Sequence, residues 1–181
     1  GVAYVLPYAS IAGRRNRHRV YLKQMLIAEQ ADNLLPEWAF FATAIVDAHG
    51  LRPTASREGF YEDEGLAKTR EALGRTLRAY LIRMAEQQPE RLQVFIQLHH
   101  ESIGALVLQD DEAYRIFGDW LPVQTSLGRM SLGEYRSRTD FVRYVANHDQ
   151  FRRIAPVAAA QGVPVIDASY VYTREILERL P

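Results

Sequence analysis

The fold class of this chain is set by one apolar run, Phe40-Phe41-Ala42-Thr43-Ala44-Ile45-Val46. Apart from Thr43 it holds no polar residue, and it ends at the turn-forming sequence Asp47-Ala48-His49-Gly50. A short apolar run that is bounded by turn residues is typical of a strand buried on both faces. We therefore predict a buried β-strand at this position.

Two segments nearer the N-terminus also have the composition of strands. Val2 to Pro7 and Arg19 to Ile27 are rich in branched and aromatic residues, which pack well on a pleated sheet. The break between them, residues 12–18, is short and polar. The pattern predicts that the two segments pair as a β-hairpin.

Three helices are predicted after the buried strand. From about Glu62 to Glu86, leucines and aromatic residues recur at the spacing of an amphipathic helix. Pro89 can begin a second helix with the same spacing. Asp110-Asp111-Glu112 carries the negative charge that is favoured at the start of a third.

The last part of the chain alternates strand and helix signals. In order, they are a strand over Phe141 to Ala146, a helix over Gln150 to Gln161, a strand over Val163 to Ile166 and a helix over Thr173 to Leu180. The predicted fold is therefore α/β (α+β), with a large α/β subdomain over residues 1–86, a helical connector over 87–130 and a small α/β subdomain over 131–181.

Composition excludes several classes of protein. Among 181 residues, 22 basic side chains balance 22 acidic ones, so no overall positive field would bind nucleic acid or an anionic membrane. There is no cysteine, which excludes disulfide and thiolate chemistry. No run approaches the roughly 18 apolar residues of a membrane span, and Gly1-Val2-Ala3-Tyr4 does not resemble a signal peptide. We expect a soluble cytoplasmic protein, and the missing initiator Met suggests a piece of a longer chain.

The segment with the most chemical information is Thr54-Ala55-Ser56-Arg57-Glu58, which leads into the long helix. Ser56 is a suitable N-cap, because its hydroxyl can accept a hydrogen bond from an amide of the first turn. Arg57 has two interpretations. It is a surface arginine that pairs with Glu58 or Glu62, or its forked guanidinium is presented to a phosphate group.

A nucleotide site built wholly within this chain is not expected. Neither the pattern G-x-x-x-x-G-K-[ST] nor the pattern G-x-G-x-x-G occurs in the sequence. An arginine that acts on a nucleotide would therefore have to reach a site built by another domain.

Several short strings carry a family resemblance through their order and spacing. They are Arg19-Val20-Tyr21-Leu22, Leu34-Leu35-Pro36-Glu37-Trp38, Val46-Asp47, Leu51, Ser56-Arg57-Glu58, and Ser131-Leu132-Gly133-Glu134-Tyr135 followed by Arg138. Together they resemble the middle domain of the ninety-kilodalton heat-shock protein (HtpG) chaperone family over most of the chain. The resemblance implies two αβα sandwich subdomains joined by a helical connector, the first similar to the ribosomal protein S5 domain 2-like fold.

The resemblance also implies a role for the Ser-Arg-Glu string. In the family this arginine touches the terminal phosphate of ATP held by the preceding domain, which gives Arg57 the catalytic role here. Thr54, Ser56 and Tyr61 are the implied contacts with the nucleotide-binding domain. The family usually has an asparagine at the position of Thr54 and a glutamine at the position of Tyr61.

The implied function is that of an ATP-dependent chaperone of the stress response, in which ATP hydrolysis is coupled to the folding of client proteins. This piece alone would be inactive. The full-length protein would be a split ATPase that binds ATP with Mg²⁺ mainly in an N-terminal domain. Its implied partners are client proteins, that N-terminal domain and a second copy joined through a C-terminal region. Trp38, Arg14 and Arg15 are weak candidates for client contact.

Other functions stay open at this point. The domain could be a non-catalytic client-binding scaffold, or the transducer domain of a gyrase-like ATPase, although the latter usually supplies a lysine and no Gln-Thr-Lys string is present. A self-contained metal hydrolase is more distant. The adjacent histidines of His99-His100-Glu101 would point about 100° apart on a helix, so we predict no metal site. Tryptophans among apolar neighbours, as at Trp38 and Trp120, most often serve packing.

Overall fold

The chain forms two compact units, which are described separately. A computed structural model describes residues 1–9, 11, 16–31, 33–55 and 59–180, without the side chains of residues 29 and 30. The first unit comprises Gly1–Pro89 and the second Glu90–Pro181. Each contains a four-stranded sheet together with helices, which confirms the predicted mixed α/β class. The predicted division at 1–86, 87–130 and 131–181 stays a prediction.

The sheet of the first unit is built around the predicted apolar strand. Its strands are β1 (Val2–Val5), β2 (His18–Leu22), β3 (Met25–Ala31) and β4 (Ala42–Asp47), in the order β1-β4-β2-β3. β4 is antiparallel to β1 and parallel to β2. Ala42 and Ala44 are buried, whereas Thr43 and Ile45 are half-buried, so β4 is enclosed on one face more than on the other.

The predicted hairpin between Val2–Pro7 and Arg19–Ile27 is wrong. β4 lies between β1 and β2, and the second segment folds back on itself to form the antiparallel pair β2–β3. The turn of this hairpin is Lys23-Gln24, whose φ angles of 50° and 67° are both positive. Two-residue turns of this kind match the twist of the strands, but they normally use Asn or Gly, so the sequence carries no signal for this one.

The long helix α1 spans Glu64–Gln87, close to the predicted bounds. The prediction that Ser56 caps it is wrong, because the helix begins later. Asp63 is the N-cap, and its carboxylate accepts a hydrogen bond of 2.9 Å from the amide of Leu66. The first helical turn therefore starts well beyond Arg57. The apolar stripe contributes Leu66, Leu77, Leu81 and Met84 to the core.

Helix α1 meets the Leu34–Trp38 segment at a glycine. A Cβ atom at Gly74 would lie only 2.7 Å from Cγ of Pro36, so the missing side chain is what permits this close approach. Beyond Pro36 the chain makes one 3-10 turn, Glu37–Ala39, in which Trp38 is buried. This contact ties the helix to the segment just before β4.

The second unit combines helices with a smaller sheet. Its elements are α2 (Pro89–Gln109), α3 (Asp111–Phe117), a 3-10 turn (Gly118–Trp120), β5 (Pro122–Thr125), β6 (Gly128–Ser131), α4 (Leu132–Arg138), β7 (Tyr144–Val145), α5 (His148–Ala160), β8 (Ile166–Asp167) and α6 (Thr173–Leu177). The strand order is β6-β5-β8-β7, and β7 and β8 are parallel. The predicted order of strand, helix, strand and helix at the C-terminal end is thus confirmed.

Local detail in the second unit departs from the predictions. The hairpin β5–β6 lies where only helical connector was predicted. The predicted strand over Phe141 to Ala146 is reduced to β7, since Phe141 and Val142 are exposed. Helix α2 begins at Pro89 as predicted but is kinked at His99, whose φ of −118° and ψ of 28° are not helical.

Candidate functional site

The described residues on either side of the Ser-Arg-Glu string are paired with each other. Pro53 and Phe60 form an antiparallel bridge. The amide of Thr54 donates to the carbonyl of Gly59 at 3.0 Å, and the amide of Tyr61 donates to the carbonyl of Arg52 at 3.0 Å. Phe60 is buried, so its ring anchors the returning arm in the core. We call residues 52–61 the arginine loop.

Two of the predicted site residues, Ser56 and Arg57, lie outside the described residues, as does Glu58. Their neighbours along the chain are described on both sides, at Ala55 and Gly59. The catalytic role of Arg57 and the alternative that it pairs with Glu58 or Glu62 both stay predictions.

The other two predicted contacts with a nucleotide-binding domain, Thr54 and Tyr61, lie on the arms of the arginine loop. The hydroxyl of Thr54 donates to the carbonyl of Gly59 at 3.2 Å and so helps to close the loop. The ring of Tyr61 is half-exposed, and the guanidinium of Arg52 lies 5.5 Å from its centroid. Contact between these residues and another domain stays a prediction.

The base of the arginine loop is held by three polar side chains, Asn33, Glu62 and Arg70, which we call the loop clamp. The side-chain amide of Asn33 donates to the carbonyl of Phe60 at 3.1 Å and to Glu62 Oε1 at 2.9 Å. Arg70 donates through Nε and Nη2 to the carbonyl of Asn33 at 3.0 and 2.8 Å. Its Nη2 also lies 2.8 and 3.0 Å from the two oxygens of Glu62. The clamp thus joins three segments of the first unit.

Of the three weak candidates for client contact, Trp38 is the one that lies among the described residues. Trp38 is buried, and its ring centroid lies 6.1 Å from that of Phe41, so it serves the packing role that the sequence favoured. Binding of clients through Trp38 stays a prediction. Arg14 and Arg15 lie outside the described residues.

A groove in the second unit has the dimensions of a ligand site. Its volume is about 710 Å³. It is lined by Gln93 and Gln97 of α2, by Trp120, and by Arg129 and Glu134 around the β5–β6 hairpin. Trp120 is partly buried. The mixture of polar and charged side chains in this groove does not identify a ligand.

A buried carboxylate in the second unit joins β8 to the start of α5. Asp167 Oδ2 lies 2.7 Å from Nδ1 of His148, and Asp167 Oδ1 accepts hydrogen bonds from the hydroxyl of Ser169 at 2.6 Å and from its amide at 3.1 Å. Burial opposes ionisation, but the bonds from Ser169 and His148 outweigh it and hold the pKa of Asp167 below its ordinary value. The arrangement fastens the N-terminus of α5 to the sheet.

The described residues contain neither a cluster of metal ligands nor a membrane-spanning helix. No group of three or more His, Asp or Glu side chains there lies close enough to hold a metal ion. Burial is the main cause that lowers the pKa of His100, with a further contribution from Arg129. None of the described helices is both long enough and apolar enough to cross a bilayer.

Sequence reasoning missed the loop clamp altogether. In the sequence, Glu62 suggests only the start of the long helix and a partner for Arg57, and neither Asn33 nor Arg70 stands out. Asn33 directly precedes the Leu34–Trp38 string, which is the one local signal that could have drawn attention to it. Since Asn33 and Arg70 are 37 residues apart, their contact is a product of the fold and has no local pattern.

Comparison with known proteins finds similarity to chaperone proteins named HtpG. Part of the chain is 31% identical over 80 residues to the chaperone protein HtpG of Oleidesulfovibrio alaskensis, covering 44% of this chain and 13% of that protein. Longer alignments have 23% identity to HtpG of Chlorobaculum tepidum over 158 residues, and 26% identity to HtpG of Roseobacter denitrificans over 157 residues. These cover 75% and 83% of this chain, but 24% and 25% of the relatives.

The similarities support a relationship with the HtpG chaperones. The chain spans about a quarter or less of the length of these relatives. No protein-family model matches the chain.

Proposed function

We propose that this chain is the middle domain of an HtpG-type chaperone and that it supplies Arg57 to an ATP site built by another domain of the full-length protein. The observation that carries the proposal is the arginine loop. Arg52 to Thr54 are paired with Gly59 to Tyr61, and these two segments flank the Ser-Arg-Glu string in the sequence. The similarity to HtpG proteins over most of the chain supports the proposal.

The chemistry of arginine suits this division of labour. A guanidinium stays charged at any working pH and offers donors in a planar fork, which matches the oxygens of a phosphoryl group. Arg57 would neutralise charge on the terminal phosphate of ATP, while the other domain holds the nucleotide and Mg²⁺. This chain has no phosphate-binding glycine loop, so its own part in ATP binding is limited to that contact.

The rest of the proposal concerns the full-length protein. ATP hydrolysis there would be coupled to the folding of client proteins, and the working form would be a homodimer held by a C-terminal region. The protein would act in the cytoplasm under stress. This piece alone would bind ATP weakly and would not hydrolyse it.

The test is the substitution Arg57→Ala in the full-length protein. Arginines that reach a phosphoryl-transfer site from another domain contribute about 10³–10⁵ in rate in well-studied systems, and a transiently docked site should lose less. We expect the kcat for ATP hydrolysis to fall at least about tenfold. Arg57→Lys should restore little, because a point ammonium cannot make a two-pronged contact.

Arg75→Ala is the matched control, since Arg75 is an exposed arginine on α1. It should leave both kcat and the melting temperature unchanged. If Arg57→Ala hydrolyses ATP at the rate of this control, the arginine is not part of the ATP site. A client-binding scaffold would then be the better function for this domain.

A further inference from the structure

The groove in the second unit lies beside an outer strand of its sheet. Strand β6 has β5 as its neighbour on one side, and on its other side the described residues contribute no strand. Arg129, Met130 and Ser131, which are consecutive in β6, all line the groove. Successive side chains of a strand point to opposite faces, so a groove that contacts a run of them follows the edge of the sheet and not one face. The groove therefore gives access to the free edge of β6.

The backbone of β6 presents free hydrogen-bonding groups at this edge. β5 and β6 are antiparallel, and the amide of Leu132, just after β6, donates to the carbonyl of Leu121, just before β5, at 2.8 Å. Hydrogen-bonded pairs alternate along such a ladder, so Met130 bonds to β5, and the N–H groups of Arg129 and Ser131 point away from it. The carbonyl of Arg129 also points outward, whereas Ser131, as the N-cap of α4, gives its carbonyl to the first turn of that helix. Donors and an acceptor at this spacing match another extended backbone.

The charged side chains that line the groove leave a positive charge without a partner. Asp119 Oδ1 lies 3.0 Å from a guanidinium nitrogen of Arg136, and Glu134 Oε1 lies 2.6 Å from one of Arg138. Both carboxylates of the groove are therefore neutralised from within the unit. Arg129 is exposed and forms no ion pair with another described residue. A carboxylate is thus the charged group that the groove favours in a ligand.

The remaining walls of the groove also suit a peptide. Gln93 and Gln97 are four residues apart on α2 and so lie on the same face of the helix. Each side-chain amide offers both an acceptor and donors, as a peptide group does. Trp120 is partly buried and lines the same groove, and tryptophan rings are frequent anchors of binding surfaces. An aromatic or apolar side chain of a ligand can therefore pack against this ring.

We propose that the free edge of β6 and the adjoining groove bind an extended peptide segment of another protein, which adds to the sheet as a further strand. The segment carries an acidic side chain that pairs with Arg129 and an aromatic one that packs on Trp120. Side chains two residues apart along a strand point to the same side, so both can enter the groove. This inference goes beyond the proposed function, since it involves neither ATP nor Arg57.

A second copy of this chain is the less suitable occupant of the edge. If β6 paired with β6 of another copy, the two Arg129 side chains would lie on the same face of the joined sheet, where like charges repel each other. Hydrogen exchange at different concentrations of the chain checks this point. If the amides of Arg129 and Ser131 become protected as the concentration rises without peptide, the edge serves self-association and the inference is overturned.

The first test is an NMR titration of the isotope-labelled 181-residue chain with a capped hexapeptide. The peptide alternates valine with polar residues and carries glutamate and tyrosine two positions apart. Because the contacts are few, we expect a dissociation constant of about 0.1–1 mM, and the absence of binding at about 5 mM peptide would overturn the inference. A version with glutamine in place of glutamate should bind about two- to fivefold more weakly, since an exposed ion pair is lost.

The second test asks whether the peptide binds as a strand. A version with methylated backbone nitrogens keeps every side chain but cannot donate to the carbonyl of Arg129, and it should not bind. With the unmodified peptide, amide hydrogen exchange should slow at Arg129 and Ser131, while the amide of Met130, already bonded to β5, changes little. Binding of the methylated peptide, or unchanged exchange at Arg129 and Ser131, would show contact through side chains alone and refute strand addition.

The third test reverses the charge of the groove. Arg129→Glu should bind the glutamate peptide at least about tenfold more weakly than the matched control Arg152→Glu, an exposed arginine on α5 that does not line the groove. A lysine version of the peptide should show the opposite preference. Equal binding of the glutamate peptide by the two variants would overturn the charge recognition. Should Arg129→Glu not fold, the lysine and glutamate versions test the same ion pair on the unmodified chain, where the lysine version should bind more weakly.

Discussion

The substitution Gly74→Ala should destabilise the first unit, although such a change usually stabilises a helix. In a helix interior, alanine is favoured over glycine by about 0.5–1 kcal/mol. Here the new methyl group would stand 2.7 Å from Cγ of Pro36. Carbon atoms attract each other at about 3.5–4.0 Å, so a shortfall of about 1 Å must be absorbed.

Pro36 cannot absorb that shortfall cheaply. Its ring is closed on its own backbone, and the neighbouring Leu35 and Trp38 are buried. Forcing an extra carbon into such a contact typically costs about 1–3 kcal/mol. Set against the gain in helix propensity, the free energy of unfolding should fall by about 0.5–2 kcal/mol.

Urea unfolding can measure the stability of the first unit separately from that of the second. The chain has two tryptophans, Trp38 in the first unit and Trp120 in the second. In a Trp120→Phe background, the fluorescence of Trp38 follows only the first unit. For a slope of about 2 kcal/mol per molar urea, the midpoint of Gly74→Ala should fall by roughly 0.3–1 M.

Gly104→Ala in α2 is the control, and its effect on the second unit is followed by the fluorescence of Trp120 in a Trp38→Phe background. Its new methyl group would find its nearest neighbour, Cδ2 of Tyr172, at an ordinary 3.4 Å, so no loss of stability is expected in the second unit. A second check is to combine Gly74→Ala with Pro36→Ala, which should recover part of the loss. If Gly74→Ala raises the midpoint instead, Pro36 can move away from the new methyl group at little cost, and the steric argument is refuted.

Two further predictions concern buried polar groups. Asp167→Asn should lower the unfolding free energy of the second unit by about 1–3 kcal/mol at neutral pH, because the carboxylate bonded by His148 and Ser169 is lost. Those bonds hold the pKa of Asp167 below its unfolded value, so the stabilisation is present above about pH 4 and disappears as the pH falls through the folded pKa. If the gap between the urea midpoints of wild type and variant stays constant down to about pH 3, this explanation is contradicted. His18→Leu should cost the first unit about 1–3 kcal/mol in urea unfolding, because the buried amide of Ala44 loses its acceptor at Nδ1. His18→Asn, which keeps an acceptor, should lose less, and equal losses would refute the hydrogen-bond explanation.

The elements that sequence predicted well are those specified by local periodicity. The stripe of leucines over Glu62 to Glu86 predicts the bounds of α1 to within two residues. The reason is that the buried face of an amphipathic helix is visible in the spacing of its own apolar residues. The pairing of strands, in contrast, is not visible in the sequence of either strand alone. The hairpin at Lys23-Gln24 has two residues with positive φ that are neither Gly nor Asn, and β5 and β6 are only four residues each, too short for an alternating pattern to stand out.

The candidate site could be predicted from the sequence only in part. The string Ser56-Arg57-Glu58 could be identified from its sequence and its neighbours along the chain. The side chains that hold the base of the arginine loop could not, because Asn33 and Arg70 are 37 residues apart in the chain and only the fold brings them together. Ser56 illustrates the limit of a local rule: its hydroxyl suits a cap, but the aspartate at position 63 takes that place.

Strand β4 has a neighbour on each side only while β1 is in place. All four residues of β1 are exposed, so its docking gains little from side-chain burial and depends on the ladder with Ala42–Ile45. The two strands are also far apart in sequence, which makes their pairing slow to form. Whenever β1 is detached, the apolar strand β4 becomes an open edge to which a strand of another chain can add. β1 therefore covers this edge of β4 only in the folded unit.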